Sequence, residues 1–413
     1  MSLKLLYKRL GALPAYLFVN ISTRAMNMAA FIFLAFTFSS EEYGNVEYII
    51  SIFFLTCIVV DCQLISYFSR EYYSAKKDNS LGKLLGTVIL SYFGITFVAV
   101  FLLILANGVL RVSVTEVILI VVSAFMHSII ELYFMYLRLE DKVGRYVKLS
   151  LIVYIVLSSA LILPAIIGTH YLASLYAYLG GKIVLGLCVL SLIRTSYILG
   201  FSRRYFTKSF QYSLPLVPNV GIGWLLFNMP KTFFGWQGQM DQVAVFSVAS
   251  RFASILQLIV VAFKNAWYPL LCRYVSHEEG VGVHQEIYRE LSRYLKLYIG
   301  FVFLVLVIGM FCTLILLDTK LGIYSNVIFC LIVAHLCLGL LSFYSFYFME
   351  IRKTHFLTLV YFLGGMFSSF PYLVGSFPSL EIVSAFIALG TFCAFIVVYA
   401  LNPKRAEFNL VAQ

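Results

Sequence analysis

The sequence predicts an all-α, polytopic integral membrane protein with about 12 transmembrane helices in two six-helix lobes. Of its 413 residues, 62% are hydrophobic and only 12% are charged, and the mean hydropathy is +0.93. A soluble domain carries about 45–50% apolar and about 25% charged residues. The apolar residues also run continuously instead of alternating, which is typical of spanning helices and not of barrel strands. Soluble enzymes and nucleic-acid-binding modules are therefore excluded.

Each predicted helix is an apolar run of about 20 residues, the length that a bilayer requires. The runs of the first half lie at 13–37, 45–69, 84–107, 114–137, 146–167 and 173–195. Those of the second half lie at 211–235, 243–268, 291–317, 326–349, 357–374 and 380–401. Leu13-Pro14 opens the first helix and Leu214-Pro215 opens the seventh. We therefore predict a parallel repeat, with residues 1–200 as the first lobe and 201–413 as the second.

The orientation in the membrane follows from the positions of Lys and Arg. If the N-terminus lies inside, 23 of the 30 basic residues fall in inner segments and only two, Arg111 and Lys320, in outer connections. Basic residues concentrate on the cytoplasmic side of membrane proteins. We therefore expect both termini to be cytoplasmic.

The remaining five basic residues lie inside predicted spans, where a central charge costs about 2.5–3.5 kcal/mol on insertion scales. They are the candidate substrate-binding cations of a central cavity: Arg24, Lys182, Lys231, Arg251 and Lys264. Lys231 and Lys264 lie close enough to helix ends to reach the membrane surface instead. Asn20, Arg24 and Asn27 form one polar stripe on the first helix. Together with Asp61 in the second helix, we expect Asn20 and Asn27 to line the cavity.

Acidic residues and a histidine mark two further features. His127 and Glu131 lie one turn apart on the fourth helix, a spacing that could relay protons in a coupled exporter. The alternatives are a hydrogen-bonded packing pair or charge balance for Arg24. Glu47 and Glu116 lie near outer helix ends, and we expect both to be close to water.

No catalytic, metal-binding or cofactor motif is present. The sequence contains no GxSxG, HExxH or Walker pattern, and its eight cysteines include no CxxC pair. We therefore predict a protein that is not an enzyme and that binds no cofactor, metal or nucleic acid.

Four segments resemble Wzx-type polysaccharide flippases, the polysaccharide transporter family of the MOP exporter superfamily. They are the turn SEEYG at 40–44, RLEDKVGRY at 138–146, YSLPLVP at 212–218 and VAVFSVASR at 243–251. The last segment places Arg251 at that family's basic position. Where many members have Asp-Arg, this chain has Pro230-Lys231, so that we do not expect a local ion pair there.

The resemblance implies a MATE-like transporter fold and a flippase for undecaprenyl-diphosphate-linked oligosaccharide repeat units, such as O-antigen. It also implies location in the bacterial inner membrane, and membrane lipid, a polysaccharide polymerase and a chain-length regulator as partners. The intramembrane cations fit this independently, because a diphosphate needs cationic partners. Two alternatives remain open. A multidrug and toxin extrusion antiporter shares the fold, although cationic drugs favour an acidic cavity. An O-antigen polymerase has a large periplasmic loop, which the short outer connections here do not provide.

Overall fold

The computed structural model describes residues 13–196, 200–257, 260, 296, 298–300, 325–350, 354–374 and 379–400. Every secondary-structure element in these residues is a helix. The first seven are α1 Leu13–Thr37, α2 Ser40–Asp61, α3 Leu64–Lys77, α4 Leu81–Leu110, α5 Val114–Leu139, α6 Val143–Ile166 and α7 Tyr171–Ser196. Next come α8 Arg203–Ser213, a 3-10 turn Leu214–Leu216, α9 Val217–Phe227, α10 Met229–Trp236, α11 Met240–Ala253 and a second 3-10 turn Ser254–Leu256. The last are α12 Ser325–Glu350, α13 Thr354–Ser368, α14 Pro371–Val374 and α15 Leu380–Ala400.

Seven helices in the described ranges are long and apolar enough to cross a membrane, and two shorter apolar segments are Asn326–Ser342 and Leu359–Ser368. The bounds of α1 agree with the first predicted span. Those of α4 to α7 agree with the third to sixth predicted spans within about three residues. The total of 12 stays a prediction, since most of the predicted span 291–317 and the end of the span 243–268 lie outside the described residues.

Three predicted spans are interrupted in the described residues, and one of them, 357–374, divides into α13 and α14. The second divides into α2 and α3, because Cys62 (φ 44°) and Gln63 (φ 57°) adopt the left-handed conformation. The seventh divides into the 3-10 turn, α9 and α10. Pro230 has no backbone N–H to donate to the preceding turn, so the helix cannot continue regularly through Asn228.

Capping explains where two of the long helices begin. The Ser39 hydroxyl accepts from the Glu42 N–H, and the Glu42 carboxylate accepts in return from the Ser39 N–H. Ser113 and Glu116 form the same reciprocal pair at the start of α5. Each pair satisfies backbone donors that the first turn of a helix leaves unpaired. Glu116 is partly exposed, as expected for a cap at the end of a span.

The chain forms two compact units. The amino-terminal unit comprises Ser22–Trp224 and Asn228–Ala244, and the carboxy-terminal unit comprises Met1–Ile21, Leu225–Phe227 and Val245–Gln413. In the amino-terminal unit, α5 packs on α2, α4 and α7, and α10 packs on α2. In the carboxy-terminal unit, α15 packs on α12 and α13. The predicted division into lobes 1–200 and 201–413 stays a prediction.

Candidate functional site

A set of ionisable side chains lies together within the amino-terminal unit, on helices that are otherwise apolar. We call this set the charge cluster; its members are Arg24 of α1, Asp61 of α2, His127, Glu131 and Arg138 of α5, and Lys182 of α7. The Glu131 carboxylate lies within electrostatic range of Arg138, Lys182 and Arg24. Asp61 lies within electrostatic range of Glu131, and Lys182 of His127. The structure thus brings four helices together around two acids and three cations.

Part of the Arg24 side chain is exposed, although the residue lies within an apolar span and its guanidinium is surrounded by protein atoms. Its guanidinium interacts electrostatically with Tyr154, Glu131 and Tyr146, which belong to α5 and α6. A side chain directed at hydrocarbon would have no such partners and would carry the full cost of an intramembrane charge. We conclude that Arg24 faces the polar side chains of α5 and α6.

Lys182 has a different environment, because only 4% of it is exposed. Its ammonium lies 5.1 Å from the ring centre of Phe53 and 4.9 Å from that of Tyr178. Cation–π contacts of this kind contribute about 2 kcal/mol when the charge is desolvated. The Phe53 ring also lies 5.9 Å from that of His127, so the aromatic side chains connect the cation to α5.

Asp61 holds the break between α2 and α3. Its carboxylate accepts a 3.0 Å hydrogen bond from the Tyr92 hydroxyl. This bond joins the end of α2 to α4. The prediction that Asp61 lines a cavity is not tested, but the side chain has this structural role.

A second polar arrangement joins α2 to α10. The Lys231 ammonium donates to the Glu47 carboxylate at 3.0 Å, and the Tyr43 hydroxyl donates to the same carboxylate at 3.0 Å. The side chains of Glu47 and Lys231 are 0% and 8% exposed. The expectation that Glu47 lies near water is therefore wrong, because the packing of α10 on α2 covers it.

Neighbouring contacts extend this arrangement, which we call the α2–α10 seam. The Ser51 and Thr232 hydroxyls are 2.8 Å apart, and the Trp224 indole N–H donates to the Ser51 carbonyl at 2.9 Å. Gly235 lies against the Tyr48 ring so closely that a Cβ there would overlap it. The cation of the Pro230-Lys231 pair thus has its acid on another helix, 184 residues away in sequence.

The remaining predicted residues lie elsewhere. Arg251, on α11, is partly buried, and Asn20 donates to the Tyr16 carbonyl at 2.7 Å; both belong to the carboxy-terminal unit. Asn27 is partly buried on α1. Lys264 lies outside the described residues. Substrate-binding roles for all these residues, and for Lys231, stay predictions.

From the sequence, Arg138 was expected in an inner loop, and no tyrosine was predicted to belong to the site. In the structure Arg138 is in the last turn of α5, seven residues after Glu131, and its guanidinium lies 5.7 Å from the ring centre of Tyr146. The helical spacing of His127, Glu131 and Arg138 could have indicated that they share one face. The tyrosines of the site could not be recognised from the sequence, because the chain has 29 tyrosines spread along its length.

The motif RLEDKVGRY has a structural role at the end of α5. Tyr72 and Lys76 of α3 both donate to the Glu140 carboxylate, and Lys142 lies 3.5 Å from it. Burial alone would raise the pKa of the Glu140 carboxyl, but the hydrogen bonds from Lys76 and Tyr72 outweigh this effect and lower the pKa below its ordinary value. Glu140 therefore joins α3 to the turn between α5 and α6 through hydrogen bonds.

Comparison with known proteins agrees with this architecture. An outward-facing multidrug resistance MATE family transporter of the MOP superfamily is similar over 98% of this chain and 96% of its own, with TM-score 0.62 and 16% identity. A mutant of the Vibrio cholerae MATE transporter VcmN is similar over 98% of both chains, with TM-score 0.62 and 17% identity. The MATE transporter ClbM in complex with Rb⁺ has TM-score 0.60 and 15% identity over 99% of this chain and 98% of its own. No curated protein matches the chain by sequence.

These likenesses establish the fold. The prediction of an all-α, multi-pass membrane protein with a MATE-like fold is confirmed, whereas the number of helices is not. The sequence pattern of the family described as polysaccharide biosynthesis protein matches residues 14–275. This match covers well over half of the chain and confirms the resemblance to polysaccharide flippases of the MOP superfamily. The chain is an integral membrane protein with the MATE transporter fold, and it belongs to the polysaccharide biosynthesis protein family.

Proposed function

We propose that this protein is a flippase, not an enzyme, that moves undecaprenyl-diphosphate-linked oligosaccharide repeat units from the cytoplasmic to the periplasmic leaflet by alternating access. The observation that carries the proposal is the charge cluster. Arg24, Arg138 and Lys182 outnumber the two acids of the cluster. Arg24 and Lys182 lie within candidate spans, where a cation is costly and marks a functional site, whereas Arg138 lies in the last turn of α5.

The chemistry of a diphosphate fits these side chains. A guanidinium such as that of Arg24 can donate two parallel hydrogen bonds to phosphate oxygens, and the Lys182 ammonium adds a point charge. Part of the Arg24 side chain is exposed, so that a headgroup could approach it from the protein surface. Tyr154, which is partly exposed, lies near Arg24 and could pack against a sugar ring. The polyprenyl chain would remain in the lipid.

A cell-based experiment tests the proposal. We expect Arg24→Ala and Lys182→Ala to abolish export of surface polysaccharide in a strain that lacks the chromosomal copy, while the proteins still insert into the membrane. Removing a charge from a span makes insertion easier, so failed insertion would not explain the loss. Lys77→Ala, which removes an exposed cation at the end of α3, is the matched control and should export normally. Normal polysaccharide in both cluster variants would contradict the proposal.

A multidrug and toxin extrusion antiporter is the second candidate, favoured by Asp61 and Glu131 in the cluster and by the MATE fold of the similar structures. The two candidates differ in the charge of the ligand. Purified protein that binds undecaprenyl diphosphate, and loses that binding on Arg24→Ala, supports the flippase. Binding of a cationic dye that is lost on Glu131→Gln, with no affinity for the diphosphate lipid, would support the antiporter instead.

We also propose that His127 and Glu131 couple transport of the lipid-linked oligosaccharide to proton movement. The three cations within range of Glu131 support charge balance as the competing role. Glu131→Gln separates the two roles. Coupling predicts transport that no longer responds to an imposed pH gradient in a normally folded protein. Charge balance predicts low abundance that is relieved when Arg24 is also neutralised.

A further inference from the structure

Helix α8, which precedes the seventh predicted span, presents an exposed face of mixed chemistry. Arg203, Arg204 and Lys208 are exposed, and successive residues of a helix are rotated by about 100°, so the three cations lie on one side. Phe206 lies beside them and is 39% exposed, and Phe201, just before the helix, is 54% exposed. We call these five residues the α8 surface. Cationic and aromatic side chains together are typical of helices that lie in a membrane interface.

The opposite side of α8 forms hydrogen bonds near the start of α4, and these set the depth of α8 in the membrane. The Ser202 N–H donates to the Thr87 hydroxyl at 3.0 Å, and the Tyr205 and Ser80 hydroxyls are 2.7 Å apart. Ser80 directly precedes α4 and Thr87 lies in its second turn, and α4 is a candidate membrane span from Leu81 onward. The helix therefore lies level with the first turns of a span, where hydrocarbon gives way to lipid headgroups.

Close backbone packing holds this position. The Gly200 N–H donates to the Gly82 carbonyl at 3.3 Å, and a Cβ at Gly86 would overlap the Gly200 backbone. The exposed Lys83 side chain lies beside Gly200 and adds a fourth cation at the same level. The α8 surface is thus presented at a fixed depth.

We propose that the α8 surface binds the headgroups of anionic phospholipids in the adjoining leaflet. The cations would pair with lipid phosphates, and the two phenylalanine rings would enter the boundary of the acyl chains. The charge of the surface selects anionic over zwitterionic headgroups. None of its residues belongs to the charge cluster, so this inference does not depend on the proposed transport function.

Lipid binding at this surface would also stabilise the unit. The last residue of α8, Ser213, donates to the Gln63 carbonyl at 3.0 Å, at the break between α2 and α3. Tyr212 lies beneath the Arg70 guanidinium, which is 4.7 Å from its ring centre. Lipid that holds α8 in the interface therefore also holds these contacts to α2 and α3, and it raises the unfolding temperature by mass action.

Native mass spectrometry of the full-length protein tests the proposal, with phosphatidylglycerol and phosphatidylethanolamine offered in equal amounts. The wild type should retain phosphatidylglycerol preferentially. Each cation near an anionic surface contributes a factor of about five in affinity, so the triple variant Arg203→Gln/Arg204→Gln/Lys208→Gln should lose up to roughly 100-fold. Phosphatidylglycerol should raise the unfolding temperature of the wild type and have little effect on that variant.

The matched control removes three other exposed cations: Lys77→Gln/Arg145→Gln/Lys148→Gln. It should retain the preference for phosphatidylglycerol and the thermal stabilisation. Phe201→Ala/Phe206→Ala should weaken retention while leaving the charge unchanged. Equal loss in the control would overturn the proposal in favour of non-specific charge. Unchanged lipid retention in the α8 variant would also overturn it, and loss of a co-purifying protein in that variant would then identify the face as a protein interface.

Discussion

The ion pair of the α2–α10 seam provides a direct test of how this fold is held together. Glu47 and Lys231 are 3.0 Å apart, and neither side chain is more than 8% exposed. Lys231→Met removes the ammonium but keeps an unbranched side chain that can fill the same space. The Glu47 carboxylate then stays buried without its cation, with the Tyr43 hydroxyl still donating to it.

The magnitude follows from the distance and the burial. Two unit charges 3.0 Å apart attract each other by about 5.5 kcal/mol at an effective dielectric constant of 20. Desolvation of both groups offsets most of this gain, so the pair itself contributes little net stability. Removal of one partner is different, because the other charge remains desolvated. We expect Lys231→Met and Glu47→Gln each to lower the free energy of unfolding by about 3–5 kcal/mol.

The assay is reversible unfolding of the purified protein in mixed micelles, followed by tryptophan fluorescence. The double variant Glu47→Gln/Lys231→Met carries no buried charge at this position. It should recover most of the stability, to within about 1–2 kcal/mol of the wild type. Lys77→Met, which removes an exposed lysine, is the control and should change the stability by less than about 0.5 kcal/mol.

Two results would refute this reasoning. Single variants within about 1 kcal/mol of the wild type would mean that water reaches the pair, contrary to the burial seen here. A double variant at least as unstable as the sum of the single variants would mean that the two side chains act independently. Either result would remove the ion pair as a link between α2 and α10.

Three further predictions concern other positions. Gly235→Ala should destabilise the protein by about 1–3 kcal/mol in the same unfolding assay, because its methyl group would overlap the Tyr48 ring; wild-type stability would show that the seam can widen freely. Glu140→Gln should lower the unfolding temperature at pH 7, and this difference from the wild type should shrink as the pH falls below about 4.5: a lowered pKa stabilises the folded state above that pH, and the contribution is lost as the pH falls through the folded-state pKa. A difference from the wild type that stays the same as the pH is lowered would exclude the charge of Glu140 as its cause. Arg24→Lys should bind undecaprenyl diphosphate about tenfold more weakly than the wild type in a calorimetric titration, since an ammonium lacks the bidentate geometry of guanidinium, and equal affinity would exclude a bidentate contact.

Much of the fold could be predicted from the sequence because membrane spans depend on local composition. Hydropathy located α1 and α4 to α7 within a few residues, and the same rule placed α12 and α15. It could not locate the break at Cys62 and Gln63, because neither is a glycine or proline and the surrounding residues are apolar. That break depends on Asp61 and Tyr92, whose contact is a product of tertiary packing.

The candidate site could be predicted only in part, because its contacts also depend on tertiary packing. Arg24 and Lys182 could be selected from the sequence because a charge inside a membrane span is costly to insert. The structure places both of them near Glu131. The same argument could not distinguish Lys231 from them, since an intramembrane lysine looks identical in sequence whether it binds a ligand or an acid. Its partner Glu47 is separated from it by 184 residues, and no local pattern reports such a contact.

Reconstituted translocation tests the central claim most directly. Proteoliposomes that contain the purified protein would be loaded with a fluorescent undecaprenyl-diphosphate oligosaccharide, and its exposure on the opposite leaflet would be followed with a membrane-impermeant quencher. We expect protein-dependent translocation that is lost on Arg24→Ala and retained in the Lys77→Ala control. Translocation at the wild-type rate by Arg24→Ala, or none by the wild type beyond that of protein-free vesicles, would contradict it.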